Sequence, residues 1–230
     1  MSHPFTDIVI PVHDAFDYLK PCIETLYQNT ENFRLIIVDD FSFTPQAEEF
    51  CRYIVTKDPN NLLVRTNKQK WFTRASNIGL RLSRTPNVVL LNSDCVLNEG
   101  WLEELYGCGE EFLRDNPKDK LGIVGAVLWL ESPVRYKAVY EPEYVTGHAL
   151  MFNRNAMEEL ATRRGTPGWW LNELERSQIH INSDRIVCYD LNRIGYKTII
   201  SYHCPIGHHG GKSWSYDLGT VGNLKLSDVD

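Results

Sequence analysis

Short apolar runs alternate along the first half of the chain with segments whose apolar residues recur every three to four positions. Residues 7–12 (Asp-Ile-Val-Ile-Pro-Val) predict a short buried strand, with Pro11 near its end, where no ladder hydrogen bond is needed. Leu19, Cys22, Ile23, Leu26 and Tyr27 follow at helical spacing, and Pro21 is expected near the first turn, where its missing N–H costs little. Residues 35–38 form the next apolar run, and Ala47, Phe50, Cys51, Ile54 and Val55 the next helical stripe. Residues 62–64 predict a third strand before a helix carrying Ala75, Ile78, Gly79 and Leu82; residues 88–91, bounded by Pro86, predict a fourth. Strands alternating with amphipathic helices of this length imply βαβ units and a parallel sheet covered on both faces.

From about Leu121 the rhythm changes. Residues 123–130 and 144–152 look like strands, followed by a helix from Asn155, a Gly/Pro/Trp loop at 165–170 and a helix from about Asp184. No Gly-x-Gly-x-x-Gly follows the first strand, which argues against a dinucleotide cofactor. The length of 230 residues and the 43% apolar share suit one domain, 1–230, with a substantial core. Six cysteines without a Cys-x-x-Cys pair are expected as reduced, buried thiols. A net charge of -6 argues against general nucleic-acid binding. With no N-terminal leader and no apolar stretch near the roughly 20 residues of a membrane helix, the expected location is the cytoplasm.

Two acidic turns follow predicted strands: Val38-Asp39-Asp40-Phe41-Ser42 and Leu91-Asn92-Ser93-Asp94. Ligands of open parallel sheets bind beyond the carboxyl ends of the strands, so both turns can face one polar ligand. Asp39 or Asp40 is a candidate acceptor for a ring N–H or a ribose hydroxyl, and the adjacent pair does not say which. Asp94 suits a hard divalent cation, which takes one or two carboxylates together with phosphate oxygens. Lys68, Lys70 and Arg74 are cations near the third strand, Arg74 the best placed to offset phosphate charge. Trp169 and Trp170 offer an aromatic platform for an acceptor, although one of them can equally close the core.

Ile10-Pro11-Val12-His13-Asp14, the Val38 to Ser42 turn, Asn67 with Arg74-Ala75-Ser76-Asn77-Ile78-Gly79, and Leu91-Asn92-Ser93-Asp94 stand in an order that resembles family 2 glycosyltransferases of the GT-A fold. Gly147-His148-Ala149-Leu150, Ser183-Asp184 with Gly195-Tyr196-Lys197, and His208-His209-Gly210-Gly211-Lys212-Ser213 extend the resemblance to nearly the whole chain. Asn-Ser-Asp looks like the family's Asp-x-Asp metal motif with its first acid replaced, a form similar to rhamnosyltransferase-like members.

The resemblance implies an α/β GT-A domain with a Rossmann-like, mainly parallel sheet flanked by helices and a smaller acceptor-side region. Residues 1–98 would form the nucleotide-binding half and 99–230 the acceptor-side half. It implies transfer, with inversion, of a sugar from a nucleotide-diphosphate donor to a glycan or other hydroxyl acceptor, dependent on Mn2+ or Mg2+. Pro11, His13, Asp39, Asp40, Asn67, Arg74, Asn77, Asn92 and Ser93 become donor contacts, Asp94 and His208 metal ligands, and Asp184 the catalytic base. Asp190, Glu173 and Glu175 are the nearby acids; Asp190, six residues beyond Asp184, should face elsewhere on a helix. The alternatives are a non-catalytic carbohydrate- or nucleotide-binding protein and a sugar nucleotidyltransferase. The last would want a Gly-rich basic loop after the first strand, and Pro11-Val12-His13-Asp14 is not one.

Overall fold

The computed structural model describes residues 3–126, 133–140, 145, 147–168, 170–171 and 183–209. Strand β1 (Thr6–Val12) lies between β2 (Phe33–Asp39) and β4 (Asn87–Leu91), with β3 (Leu62–Arg65) outside β2, and all of these pairings are parallel. Helices α1 (Phe16–Asn29), α2 (Pro45–Lys57) and α3 (Trp71–Leu82) provide the crossovers, as the alternating pattern predicts.

The second half extends this sheet with mixed polarity. β8 (Ala149–Asn153) runs antiparallel between β4 and β6 (Lys120–Ala126); β9 (Tyr196–Ser201) is parallel to β6, and β7 (Tyr136–Val139) forms the antiparallel edge. Helices α4 (Trp101–Asp115), α5 (Arg154–Arg163) and α6 (Ser183–Arg193) cover it. A two-stranded sheet pairs β5 (Cys95–Leu97) with β10 (Ile206–His208), setting His208 opposite Cys95.

The period of two along the strands sorts side chains into two cores, one on each face of the sheet. Ile8, Ile10 and Val12 join Leu35, Ile37, Val89 and Leu91 under α1, α2 and α4. Val9, Ile36, Val88 and Leu90 join Leu80, Met157 and Leu191 under α3, α5 and α6. Gly79 lets α3 approach β1 closely, because a Cβ there would stand 2.3 Å from Val9 Cγ1.

Pro21 departs from expectation. It is the sixth residue of α1, past the first turn, so the helix forgoes one backbone hydrogen bond. Burial of Leu19, Cys22, Ile23 and Leu26 along one face outweighs that loss. At the amino edge of the sheet, Asp7 is fully buried and receives Arg34 at 2.7 and 2.8 Å, which ties β1 to β2 and leaves the carboxyl edge for chemistry.

Candidate active site

The Asn92-Ser93-Asp94 turn joins the end of β4 to β5, and β10 folds back along β5. This brings His208 Nε2 to 3.0 Å from Oδ1 of the buried Asp94. Two ligands of an octahedral ion, each about 2.1 Å from it and at right angles, stand about 3 Å apart, so the spacing suits a shared cation. Asn92 Nδ2 lies 3.3 Å from the same imidazole nitrogen. Among the described residues the buried Asn92 Oδ1 and Ser93 Oγ have no hydrogen-bond partner, which leaves two oxygens available beside Asp94.

A carboxylate, an imidazole and an amide oxygen together fit Mn2+ or Mg2+. Cys95 shares the cluster, its sulfur within 4.8 Å of the Asp94 and His208 ligand atoms. Burial, with Cys22 and Asp94 adding to it, holds that thiol well above its ordinary pKa, and Cys95 Sγ donates to the His148 carbonyl at 3.3 Å. In this structure it is therefore a hydrogen-bonded thiol.

His148 is the residue that the sequence reading missed. Its ring stacks on His208 at 5.0 Å and 19°, and its carbonyl accepts the Asn92 N–H at 2.9 Å. It therefore supports the imidazole and the acidic turn at once. Burial, and then the neighbouring His208, push its pKa down to about 4, so it is neutral at pH 7. Gly147-His148 was visible as a motif, but no spacing tied it to His208, because antiparallel insertion of β8 beside β4 makes the contact.

His209 turns away: its ring lies 5.1 Å from Tyr18, and only its backbone N–H reaches the Asp94 carbonyl, at 3.1 Å.

The carboxylates of the other acidic turn, expected to contact the nucleoside, have partners within the protein. Asp39 accepts the Ser42 N–H at 2.9 Å and pairs with Arg65, which also bonds Ser42 O at 2.9 Å and Glu48 at 3.1 Å. Asp40 is fully buried and accepts the Lys70 and Trp71 N–H groups, each at 2.7 Å, and the Thr66 hydroxyl at 3.0 Å. It caps α3 from a neighbouring strand. Burial raises its pKa against the pull of these donors. Asp40→Ala would strand those donors, and a loss of about 1–3 kcal/mol in stability is expected from denaturant unfolding; an unchanged midpoint would count against the capping role.

Four backbone positions around these turns lie in the left-handed region without being glycine: Asp14 (φ 52°), Ala15 (φ 54°), Phe41 (φ 62°) and Trp71 (φ 66°). Such a conformation costs roughly 1–2 kcal/mol for an ordinary residue.

Other expected donor contacts divide by burial. Pro11 lies within β1, and His13 is buried, with Nδ1 2.9 Å from Asp40 O and Nε2 3.1 Å from Gln69 Nε2. Asn77 is corrected from donor contact to clamp. Its Nδ2 donates to Leu171 O at 2.8 Å and its Oδ1 accepts the Leu171 N–H at 2.9 Å, so its amide is committed within the core. Asn67 is exposed after β3, and Arg74 is partly exposed on α3.

Trp170 is likewise corrected from acceptor platform to core. It is buried against Phe152, edge to face at 6.1 Å, and its Nε1 donates to Glu158 at 3.0 Å. Trp169, Glu173, Glu175 and the chain from Gly210 lie outside the described residues.

Asp184 stands in the first turn of α6, beside the Gly147 backbone. The Arg185 N–H donates to its Oδ1 at 2.9 Å, and a Cβ on Gly147 would lie 3.2 Å from its Oδ2. Burial raises its pKa despite backbone donors from Arg185 and Gly147. Desolvation therefore outweighs these donors in setting the direction of its shift. Asp190 faces elsewhere, as the helical spacing predicts, and receives Arg164 at 3.0 Å.

Residues 7–117 match the family model described as Glycosyl transferase family 2. Glycosyltransferase GlyG of Streptococcus pneumoniae serotype 4 is 24% identical over 159 residues, covering 68% of this chain and 49% of GlyG. An uncharacterized glycosyltransferase of Haemophilus influenzae is 32% identical over 105 residues, 45% of this chain and 42% of that protein. The match thus spans less than half the length of either relative.

Among solved structures, the mannosyltransferase PcManGT from Pyrobaculum calidifontis, in complex with GDP-Man and Mn2+, superposes with a TM-score of 0.63 at 15% identity, covering 98% of this chain and 66% of that one. GalNAc-T7 with UDP, GalNAc and Mn2+ gives 0.67 at 13% identity, covering 89% and 44%. These likenesses show the fold, which is that of GT-A glycosyltransferases. No helix among the described residues is long and apolar enough to cross a membrane. Sequence match and architecture point the same way: residues 7–117 match the glycosyl transferase family 2 model, and the fold around them is that of GT-A glycosyltransferases.

Proposed function

We propose that the chain is a metal-dependent, inverting glycosyltransferase that moves a hexosyl or deoxyhexosyl group from a nucleotide-diphosphate donor to a hydroxyl acceptor. The approach of His208 to Asp94 at 3.0 Å carries this reading, with Asp184 linked to it through the Gly147-His148 turn. A cation site and a buried carboxylate then share one crevice at the carboxyl edge of the sheet. PcManGT and GalNAc-T7 hold Mn2+ together with GDP-Man or UDP, which supports the same ligand chemistry here. Asn92 in place of a first acid supports the rhamnosyltransferase-like subgroup.

Asp94, His208 and Asn92 Oδ1 would hold Mn2+ or Mg2+. When bound, the ion supplies positive charge to the leaving diphosphate. Arg74 adds a cation on the donor side, and Asn67 and Ser93 add polar groups along the same edge. Asp184 removes the proton of the acceptor hydroxyl, a task that its raised pKa suits better than an ordinary carboxylate would. Displacement from the face opposite the diphosphate inverts the anomeric centre. In this reading Trp169 is the acceptor-side aromatic. Six free, buried cysteines support a reducing compartment, and with it the cytoplasm.

Hydrolysis of UDP-, GDP- and dTDP-sugars in Mn2+ tests the proposal: at least one donor should turn over, and EDTA should abolish the reaction. Binding without turnover would instead favour a nucleotide- or carbohydrate-binding protein on this fold. Absence of both would remove the donor site.

A further inference from the structure

We infer that Trp71 is the stacking platform for the base of the donor nucleotide, with Phe43 beside the same crevice; this rests on the donor site proposed above and names the group that holds its base. Trp71 opens α3 at φ 66°, a conformation that glycine adopts freely and a bulky residue does not. Its N–H and that of Lys70 are anchored on the buried Asp40 carboxylate, so the strained backbone is actively held. The chain thus places its largest type of side chain where glycine would be unstrained.

Packing does not explain that choice. Trp71 is 55% exposed and Phe43 66%, whereas Trp101 and Trp170 are core residues. Strain retained beneath an exposed ring points to a ligand for the ring. Asp14, Ala15 and Phe41, the other left-handed positions of these turns, follow the ends of β1 and β2.

Position identifies the ligand. Asp94 follows the end of β4, and the sheet continues from there through β1 and β2 to β3. At a spacing of about 4.8 Å per strand, the ends of β2 and β3 stand roughly 10 and 14 Å from β4. A diphosphate held at Asp94 therefore extends its ribose and base along this row, toward the turns bearing Phe43 and Trp71. Asp39 and Asp40 are committed to internal partners, which leaves an aromatic face as the means of holding a base. Such stacking tolerates any base, because each has a π-face, and its removal weakens binding by about 5- to 100-fold.

The test is calorimetry with UDP, GDP and pyrophosphate, each in Mn2+, on the parent protein, Trp71→Gly and Trp71→Phe. Trp71→Gly should bind UDP and GDP about 5- to 100-fold more weakly, bind pyrophosphate unchanged and melt no lower than the parent, while Trp71→Phe keeps most of the affinity. Unchanged UDP and GDP affinities in folded Trp71→Gly would overturn the inference, as would an equal loss for pyrophosphate, which has no base. A parent protein that binds none of the three would overturn the donor site itself, and the base platform with it.

Discussion

Asp94→Asn is expected to lower Mn2+ affinity by at least about 100-fold and to abolish Mn2+-dependent nucleotide binding in a protein that still melts cooperatively. The estimate follows from the donor set. Changing groups that merely orient a ligand typically costs about 10- to 100-fold, and Asp94 offers the one carboxylate among the described oxygens and nitrogens of the cluster. Asn keeps the shape and one oxygen but removes the charge that a hard cation requires. His208→Ala should also weaken Mn2+ binding, whereas His209→Ala should not, because its ring lies against Tyr18. Electron paramagnetic resonance of free Mn2+ during titration measures all three without any catalytic turnover. Parent-like Mn2+ affinity in Asp94→Asn would leave the cluster without a metal role.

The parallel half of the fold was legible because local pattern and global packing coincide there. Ile8, Ile10 and Val12 face one core and Val9 the other, so a continuous apolar run marks a strand covered on both sides. The antiparallel half was harder, because long-range pairing decides its order. Nothing local places β8 between β4 and β6, or carries β10 back to β5. Helix α4 escaped the reading although Trp101, Leu102, Leu105, Cys108 and Phe112 recur at helical spacing, because Gly107 and Gly109 interrupt it with poor helix formers. Both have tertiary reasons: a Cβ at Gly107 would meet Arg135 Nη2 at 2.5 Å, and one at Gly109 would meet Leu121 Cδ2 at 3.1 Å.

The site divides the same way. Asp94 and His208 stood out as candidates because their residue types restrict their chemistry, and the strand end that positions Asp94 was readable. Asp39 and Asp40 could not be assigned from the sequence because a turn carboxylate can serve a ligand or a helix end with the same sequence signature. Arg65 and the N–H groups of Lys70 and Trp71, well downstream in the chain, decide which. Asn77 and Trp170 show the converse: polar and aromatic residues that suggested binding are held by partners in the core, Leu171 for one and Glu158 and Phe152 for the other.

Asp184→Asn is expected to lower turnover by about 10²- to 10⁴-fold while leaving nucleotide affinity near the parent value, the signature of a lost general base. Stability should move the other way. Burial raises the Asp184 pKa in the folded protein above the ordinary carboxylate value of 3.8, so the folded state favours the protonated form. Between that ordinary value and the raised one, the folded state holds more proton than the unfolded, and stability falls as pH increases through the window. Above it, the full penalty for the buried charge applies. Asn carries no such charge and retains an oxygen for the Arg185 N–H, so the variant should melt at or above the parent temperature at pH 7, the difference vanishing below the ordinary carboxylate range. A residue that only capped α6 would behave oppositely, with stability falling by about 0.5–2 kcal/mol and little change in turnover. The acid limb of kcat/KM supplies a third readout: in the parent it should lie above the usual carboxylate range, and in the variant it should disappear. Near-normal transfer by folded Asp184→Asn would sink the assignment and direct the search for the base to Glu173 and Glu175.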